Sequence, residues 1–579
     1  MQANNARHHI NTPGCAIPDY SEELKFKYIS TKNSCGQRAV FVNEIRSNKL
    51  QFKIDNIKMK KYVNNKEKYS CCYQTINRLK SRGEDSFISY SPCINFKSGM
   101  IIKFDNEELK ITCSVHYKNK SDAIIYDDVY SKVKKVKLRN KVKKTSWNVV
   151  LLGLDAMSRT RFFKTMPQTF KLIKQNGWLD YKGYHATSFE NFPSLMAVLT
   201  GLNKSTSHKR CEYGMDFCIN NTLWSKFKDA GYATAYGEDY VHSQSYTFSG
   251  YYGFNNLPTD HYMRPLFLAG ETREDNILCT KKLPSVSHLL DYSFQFMNVY
   301  KRENHFGVFW HKTNNDYIPK LIDDTFVELF IKLNNSNILD NTFMLFMSNY
   351  GITHGDFKIS IASYYEQRLP MLFIWVPNNF RKMFPDKYRN MQANQNRLIS
   401  PYDVFVTLTD ILELSVKSSN HATSDACPKC SSIFEKISVY RSCASASVVE
   451  SFCTCHDVND IDIAYNGDVL DVAVSHIKEL TRKINTIPFT ACANVELDQV
   501  LRINTYTSLG NEYFIIAFTM APGNKSYEVL LMKHGKSYQI LEPIQSISAY
   551  NTKGSCVIDA VDRPYCICEM TSPCDIHND

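Results

Sequence analysis

Residues Thr342–Gly351 read TFMLFMSNYG: a short run of mostly large apolar side chains, then the polar group Ser348-Asn349-Tyr350 and a glycine. An unbroken apolar run of this length, stopped by a polar turn, predicts a strand buried on both faces, as in a parallel sheet covered by helices. Open α/β sheets place their functional groups just beyond the carboxyl ends of such strands, so chemistry is expected in the residues after Met347. A second run, Trp147–Leu154, delivers Asp155 in the same way through GLDAMSR.

The text around these two runs alternates between strand and helix signals. Met166–Asn176 reads as an amphipathic helix closed by Gly177, and Pro193–Thr200 as another closed by Gly201. Thr222 caps a third helix that ends at Gly231, followed by a strand over Ala233–Tyr236. A long helix is expected over Ser285–Arg302 behind Pro284, then a strand Gly307–Trp310 leading to His311. Asp323–Leu333 reads as a helix and Met371–Val376 as a strand; Ser400-Pro401 supplies the cap and first-turn proline of a helix through Asp403–Leu412. This alternation predicts a mainly parallel sheet with helices on both faces over residues 146–415. Residues 1–145 are expected to form a cysteine-bearing accessory region with short strands such as Met100–Phe104. Residues 416–579 are expected to form a cysteine-rich α+β domain, with strands at Val495–Tyr506, Tyr513–Met520 and Tyr527–Met532.

Composition narrows the class. The 579 residues exceed one hydrophobic core, and 43% hydrophobic residues exclude a disordered chain. No apolar stretch is long enough to span a membrane. The 19 cysteines gather toward the two ends, and only Cys427-Pro-Lys-Cys430 has CxxC spacing, so disulfides rather than zinc are expected, within 1–150 and 415–579. That places the protein outside the cell or in the secretory lumen. MQANNARHHINTPGC has no apolar signal core, so an upstream segment, which could also anchor the protein to a membrane, is expected. Sequons at Asn119, Asn203, Asn220, Asn334 and Asn524 permit glycosylation. The net charge of +11 owes much to Lys132–Lys144, KVKKVKLRNKVKK. No aromatic residues interleave with these lysines, so a solvated lysine face is expected and a nucleic-acid partner is not.

A two-metal ester hydrolase needs a carboxylate at one strand end and a nucleophile at a helix amino end. It also needs an Asp-His pair at another strand end and further ligands for a second metal about 4 Å away. Here the sequence resembles a known family. GLDAMSR (153–159), ENFPSLMAVLTG (190–201), AYGEDY (235–240), PTDHYMRP (258–265), SNYGITHGDF (348–357), EQRLPMLFIWVP (366–377) and RLISPYDVFVTLTDIL (397–412) are similar to the animal family called domain of unknown function 229. NTPGC (11–15), Arg441-Ser-Cys443, Cys453-Thr-Cys455 and Tyr565-Cys-Ile-Cys568 extend the likeness to both ends. The resemblance implies membership of the alkaline-phosphatase and sulfatase-like superfamily, with an α/β/α core and a secreted or membrane-anchored setting.

Carried over residue by residue, the resemblance keeps Asp155 as the first metal carboxylate. It breaks at Asn191, where the family has a threonine nucleophile before Phe-Pro. It breaks again at Asn349-Tyr350, where the family has Asp-His. An amide is not a nucleophile, and a phenol with its pKa near 10 is a poor ligand at neutral pH. His311 is followed by Lys312-Thr313, where the family tends to have Asp or Asn and then Asp, which puts a cation where a second metal would sit. Asp316 and His354 are the available substitutes; Glu238, Asp239, Asp260 and Arg264 are candidate pocket residues, each equally readable as a structural hydrogen-bonding group. The chain has no Cys-x-Pro-x-Arg, so a formylglycine nucleophile is not expected. The expectation is a catalytically degenerate protein with a binding or structural role, no resident cofactor, and an anionic glycan or a protein as partner. The alternative is an active ester hydrolase using divalent metal, zinc in the first instance, through Asp155, His311, Asp316 and His354.

Overall fold

The run Asn148–Leu154 is buried at every position, and its side chains alternate between two cores. Val149 and Leu151 enter one hydrophobic cluster while Val150 and Leu152 enter another. Such two-sided burial is the period-two consequence of a strand sandwiched between helical layers. This computed structural model describes residues 7–568, apart from 27, 30–34, 47, 64–66, 80–84, 118–120, 139–145, 242–246, 249–252, 275–276, 313–317, 353–359, 418–421, 463–466, 488–489, 549–555 and 558–561.

Asn148–Leu154 lies at the centre of a seven-stranded sheet, between Thr342–Met347 and His305–His311, and pairs in parallel with both. Ala233–Glu238 and then His261–Tyr262 continue the parallel order beyond His305–His311. On the other side Leu372–Trp375 and then Leu179–Asp180 complete the sheet. The sheet is mainly parallel, as expected, with Leu372–Trp375 running antiparallel to Thr342–Met347. A four-residue apolar run carries no information on direction.

Helices Asn191–Thr200, Leu223–Asp229 and Pro401–Val416 supply much of the first cluster. Arg159–Thr165, Ser285–Val299 and Lys320–Asn334 supply much of the second. The helix expected over Met166–Asn176 is Pro167–Gln175, and a further helix, Arg159–Thr165, precedes it and stops at Met166, where the following proline disfavours helical geometry. Ser400 caps Pro401–Val416 through a reciprocal box with Asp403. Asp403 is also held by Arg441 Nη2 at 2.8 Å, which ties the cysteine-rich segment to the core.

The amino-terminal region is mostly β. Ala123–Ser131, Glu108–Val115, Tyr69–Arg78 and Ile88–Tyr90 form an antiparallel sheet, stapled by Cys71–Cys113 and Cys72–Cys93. Lys132 and Lys134 of the basic run face Glu44 and Asp105 at 3.9 and 4.0 Å, and Lys135 pairs with Glu303. The carboxyl-terminal region is an antiparallel sheet built on Glu496–Ser508, Asn511–Ala521, Lys525–His534 and Ser537–Ser546. Helix Gly467–Ile484, which the sequence reading missed, covers one face through Val469, Ala473 and Ile477. The other face packs Tyr506, Tyr513, Ile515 and Leu530 against Tyr364, Tyr365 and Leu369 of the core. Inside that contact, Glu528 joins the Arg368 guanidinium at 2.9 Å and that of Arg502, all three buried.

Among the described residues nine disulfides join eighteen cysteines. They are less confined to separate ends than expected. Cys15–Cys455 joins the two ends, Cys35–Cys279 ties the amino-terminal region to the core, and Cys211–Cys218 closes a core loop. Cys427 and Cys430 pair with each other. Among the described residues no helix is long and apolar enough to cross a membrane.

Candidate functional site

The carboxyl ends of the three central strands and the amino end of helix Asn191–Thr200 meet at one cluster. Strand Asn148–Leu154 ends at Asp155, whose backbone N–H donates to His311 O at 2.9 Å, locking the two neighbouring strand ends together. Strand Thr342–Met347 ends in Ser348 and Asn349. Ser348 Oγ accepts from Met157 N at 2.9 Å, and Asn349 Oδ1 from Ala156 N at 3.2 Å and Tyr350 N at 3.0 Å. These bonds fix the Asn349 amide, so that its nitrogen points inward and donates to Asp155 Oδ1 at 2.6 Å. The turn needs glycine next: a Cβ on Gly351 would lie 1.8 Å from the Glu366 carbonyl oxygen.

Asn191, the first residue of its helix, stands between these groups and Lys312. One of its amide atoms lies 2.7 Å from Asp155 Oδ1, 2.7 Å from Asn349 Nδ2 and 3.1 Å from Tyr350 OH; the other lies 2.6 Å from Lys312 Nζ. An ammonium can only donate and a carboxylate can only accept. Charge therefore favours the Asn191 oxygen on Lys312 and the nitrogen on Asp155 and Tyr350, and leaves the Asn349 contact as one amide nitrogen against another. The Tyr350 ring meets Phe189 edge-on at 6.4 Å, so the phenol closes the cluster with apolar support.

Lys312 is held from behind. Its backbone N–H donates to Asp239 Oδ1 at 2.9 Å, and its Nζ lies 3.3 Å from Glu238 Oε1, both side chains being fully buried. Glu238 in turn accepts from Thr247 Oγ1 at 2.6 Å, from Thr247 N and from Tyr236 OH. His311 Nδ1 lies 2.5 Å from Asp239 Oδ2, and its buried Nε2 has no hydrogen-bond partner among the described residues. The Asp155 carboxyl sits above the usual carboxylate range because burial penalises its charge. The Lys312 ammonium, then the Asn349 hydrogen bond, pull it back down; Glu238 pushes it up and His311 lowers it.

The structure thus gathers Asp155, Asn191, Glu238, Asp239, His311, Lys312, Asn349 and Tyr350, though more than 150 residues separate the two asparagines in sequence. Two candidates do not join them. Asp260 Oδ2 accepts from Thr234 N at 3.0 Å at the opposite end of strand Ala233–Glu238, and its other oxygen pairs with Lys228 at 2.9 Å. Arg264 Nε donates to the Asp85 carbonyl, docking the amino-terminal region rather than lining the cluster. Both residues are loop-end polar groups in the sequence, and nothing local distinguishes a docking contact from a site contact. Asp316 and His354 lie outside the described residues. The residue that sequence reasoning missed is Thr247, which holds Glu238 from across the loop; a threonine in a loop carries no such signal.

In comparison with known proteins, a model of the family described as "Protein of unknown function (DUF229)" matches residues 29–501. No curated protein gives a match. Among solved structures, an alkaline-phosphatase-superfamily protein from Vibrio parahaemolyticus is 12% identical, with a TM-score of 0.35, covering 70% of this chain and 84% of its own. The C-terminal periplasmic domain of EcEptC from Escherichia coli is 11% identical, with a TM-score of 0.35, covering 48% of this chain and 86% of its own. The lipoteichoic acid synthase LtaP from Listeria monocytogenes is 13% identical, with a TM-score of 0.33, covering 56% of this chain and 80% of its own.

Proposed function

This chain belongs to the DUF229 family of proteins of unknown function, and we propose that it is a secreted or cell-surface, sulfatase- and phosphatase-like protein whose site has given up hydrolysis for a binding or structural role. The observation that carries this reading is the Lys312 ammonium, buried between Glu238 and the Asn191 amide at the mouth of Asp155. It supplies internally the positive charge that a divalent ion would bring to this group of carboxylates.

Among the described residues, the groups at this cluster do not fit a pair of divalent ions. Asn349 offers its nitrogen, a donor, toward Asp155, where a metal would need a lone pair. Tyr350 offers a phenol, and a metal beside Lys312 would face like charge at a few ångströms in a site shielded from water. Asn191 has no ionisable proton with which to attack an ester. An anionic glycan or a protein segment is the class of partner proposed, and it would meet the surface around the cluster, since Lys312 itself is fully buried. The disulfides support an oxidising, secretory setting.

The reading is tested by turnover of aryl phosphates, phosphodiesters and aryl sulfates. Rates at the uncatalysed level are expected. A chelator-sensitive rate that vanishes in Asp155→Ala would overturn the proposal. It would favour the second reading, an altered metal hydrolase, to which one observation speaks. His311 is oriented through Nδ1 by Asp239 and keeps a buried, unpartnered Nε2, as metal-binding histidines do.

A further inference from the structure

Two aromatic rings stand in solvent on a core loop. Tyr213 and Phe217 are 77% and 67% exposed, with ring centroids 6.0 Å apart. The loop is not loose. The Cys211–Cys218 disulfide closes it, and Met215, 1% exposed, plugs it into the core. The Asp216 carboxylate accepts from Asn255 N at 3.0 Å and Asn256 N at 3.3 Å, which draws the segment bearing half-exposed Leu257 against it. A rigid apolar patch of this kind on a protein surface calls for a cover.

The backbone places one beside it. Met215–Phe217 and Ile219–Asn221 are successive 3₁₀ turns, joined by Cys218 at φ −113° and ψ −10°. Asn220 follows Phe217 by three residues across Cys218, so the acceptor and the ring lie on adjacent turns about the loop-closing disulfide. Asn220 is exposed, its side chain makes no hydrogen bond among the described residues, and with Asn221-Thr222 it forms an N-glycosylation acceptor. Asn203 differs: its Oδ1 is engaged by Thr206 N at 2.9 Å, capping a helix.

We infer that Asn220 carries an N-linked glycan whose first sugar packs over Phe217 and Tyr213. The donor is a polyprenyl-diphosphate-linked oligosaccharide. The Asn220 amide nitrogen bonds to the anomeric carbon, the bond from that carbon to the diphosphate oxygen breaks, and the amide gives up one proton as the lipid diphosphate leaves. In the fold Thr222 is fully buried and its hydroxyl donates to Ile219 O at 2.5 Å, so transfer precedes folding of this loop. The apolar face of the pyranose then covers one ring and its edge meets the other, since the two ring planes are inclined at 64°.

This inference rests on the secretory setting proposed above. The experiment supplies that setting, so that the two fail separately. The full chain is secreted from eukaryotic cells behind an added leader and the glycans are removed with an amidase in heavy-oxygen water. Peptide mapping then reads occupancy at each sequon. Hydroxyl-radical footprinting reads the oxidation of Tyr213 and Phe217 before and after removal, and in Asn220→Gln. Full occupancy of Asn220 is expected, with a several-fold rise in oxidation at both rings once the glycan is gone and in the variant. An unmodified Asn220 in secreted protein overturns the inference, and so does a modified Asn220 whose removal leaves the rings' oxidation unchanged. Association of the secreted protein through this patch, lost in Tyr213→Ser/Phe217→Ser, would instead mark it as a contact between copies and also overturn the inference. Mostly free thiols in the protein isolated from its native source would count against the secretory reading alone.

Discussion

Replacing Lys312 with methionine removes the cation from a cluster that contains three buried carboxyl groups, Asp155, Glu238 and Asp239. Methionine keeps most of the volume, so the effect reports charge rather than cavity. Lys312 and Glu238 are both fully shielded at 3.3 Å, and removing one partner of such a pair strands the other in low dielectric, at a cost of about 3–5 kcal/mol. The deficit also has a sign in pH. Burial already raises the Asp155 pKa in the fold, so its contribution to stability is greatest at low pH and is lost as pH rises through the raised value. Lys312 is the strongest influence opposing that rise, so its loss moves the pKa further up and carries the loss of stability to higher pH. Denaturant unfolding of oxidised protein at pH 5 and pH 7.5 measures both effects. The deficit should be larger at pH 7.5, and Lys312→Met/Glu238→Gln should recover a substantial part of it, because the stranded charge is gone. A deficit below about 1 kcal/mol, or a double variant no better than the single one, would refute the picture of an ammonium neutralising the cluster.

Three other outcomes follow from the same structure. Glu528→Gln should destabilise by about 3–5 kcal/mol by leaving the Arg368 and Arg502 guanidiniums without their shared carboxylate, and limited proteolysis should then release the carboxyl-terminal region first; an unchanged digest would contradict the buried triad. Burial raises the Glu366 carboxyl to about 8, so the wild type's favourable contribution is complete below about pH 4.5 and fades as pH rises toward 8. Glu366→Gln should therefore be more stable than wild type by roughly 3 kcal/mol at pH 7 and equal to it near pH 4, as read by denaturant midpoints. Non-reducing peptide mapping should recover Cys15 linked to Cys455 and Cys35 linked to Cys279; finding them paired within their own ends would contradict the way the amino-terminal region is docked.

The core strands were legible because burial on both faces leaves a strong signature. Thr342–Met347 matches the apolar run that announces it, and Asn148–Leu154 differs from its run only at Trp147. His305–His311 begins two residues earlier than Gly307, since His305 and Phe306 are polar or aromatic residues buried by their neighbours rather than by pattern. Strand direction was not legible at Leu372–Trp375, because hydrogen-bond partners lie elsewhere in the chain. Helix Gly467–Ile484 carries a readable apolar stripe at Val469, Ala473, Ile477 and Ile484, and its neighbours' cysteines and alternating strands drew the reading away from it. At the site, Asp155, Asn191, Asn349, Tyr350 and Lys312 could be named because strand and helix ends fix their places. The pairing of Lys312 with Glu238 could not. It depends on two adjacent parallel strands ending level, a register that only the assembled sheet defines.

The central claim is that this site has exchanged its metals for an internal cation. Zinc content per chain tests it most directly, measured by elemental analysis of secreted protein after zinc loading and dialysis. It should be read beside the triple variant Asn191→Thr/Asn349→Asp/Tyr350→His, which rebuilds an oxygen nucleophile, a second carboxylate and an imidazole around Asp155. The account predicts no stoichiometric zinc in the wild type and one zinc in the variant, whose second site Lys312 still blocks. About two zinc ions per wild-type chain would contradict it.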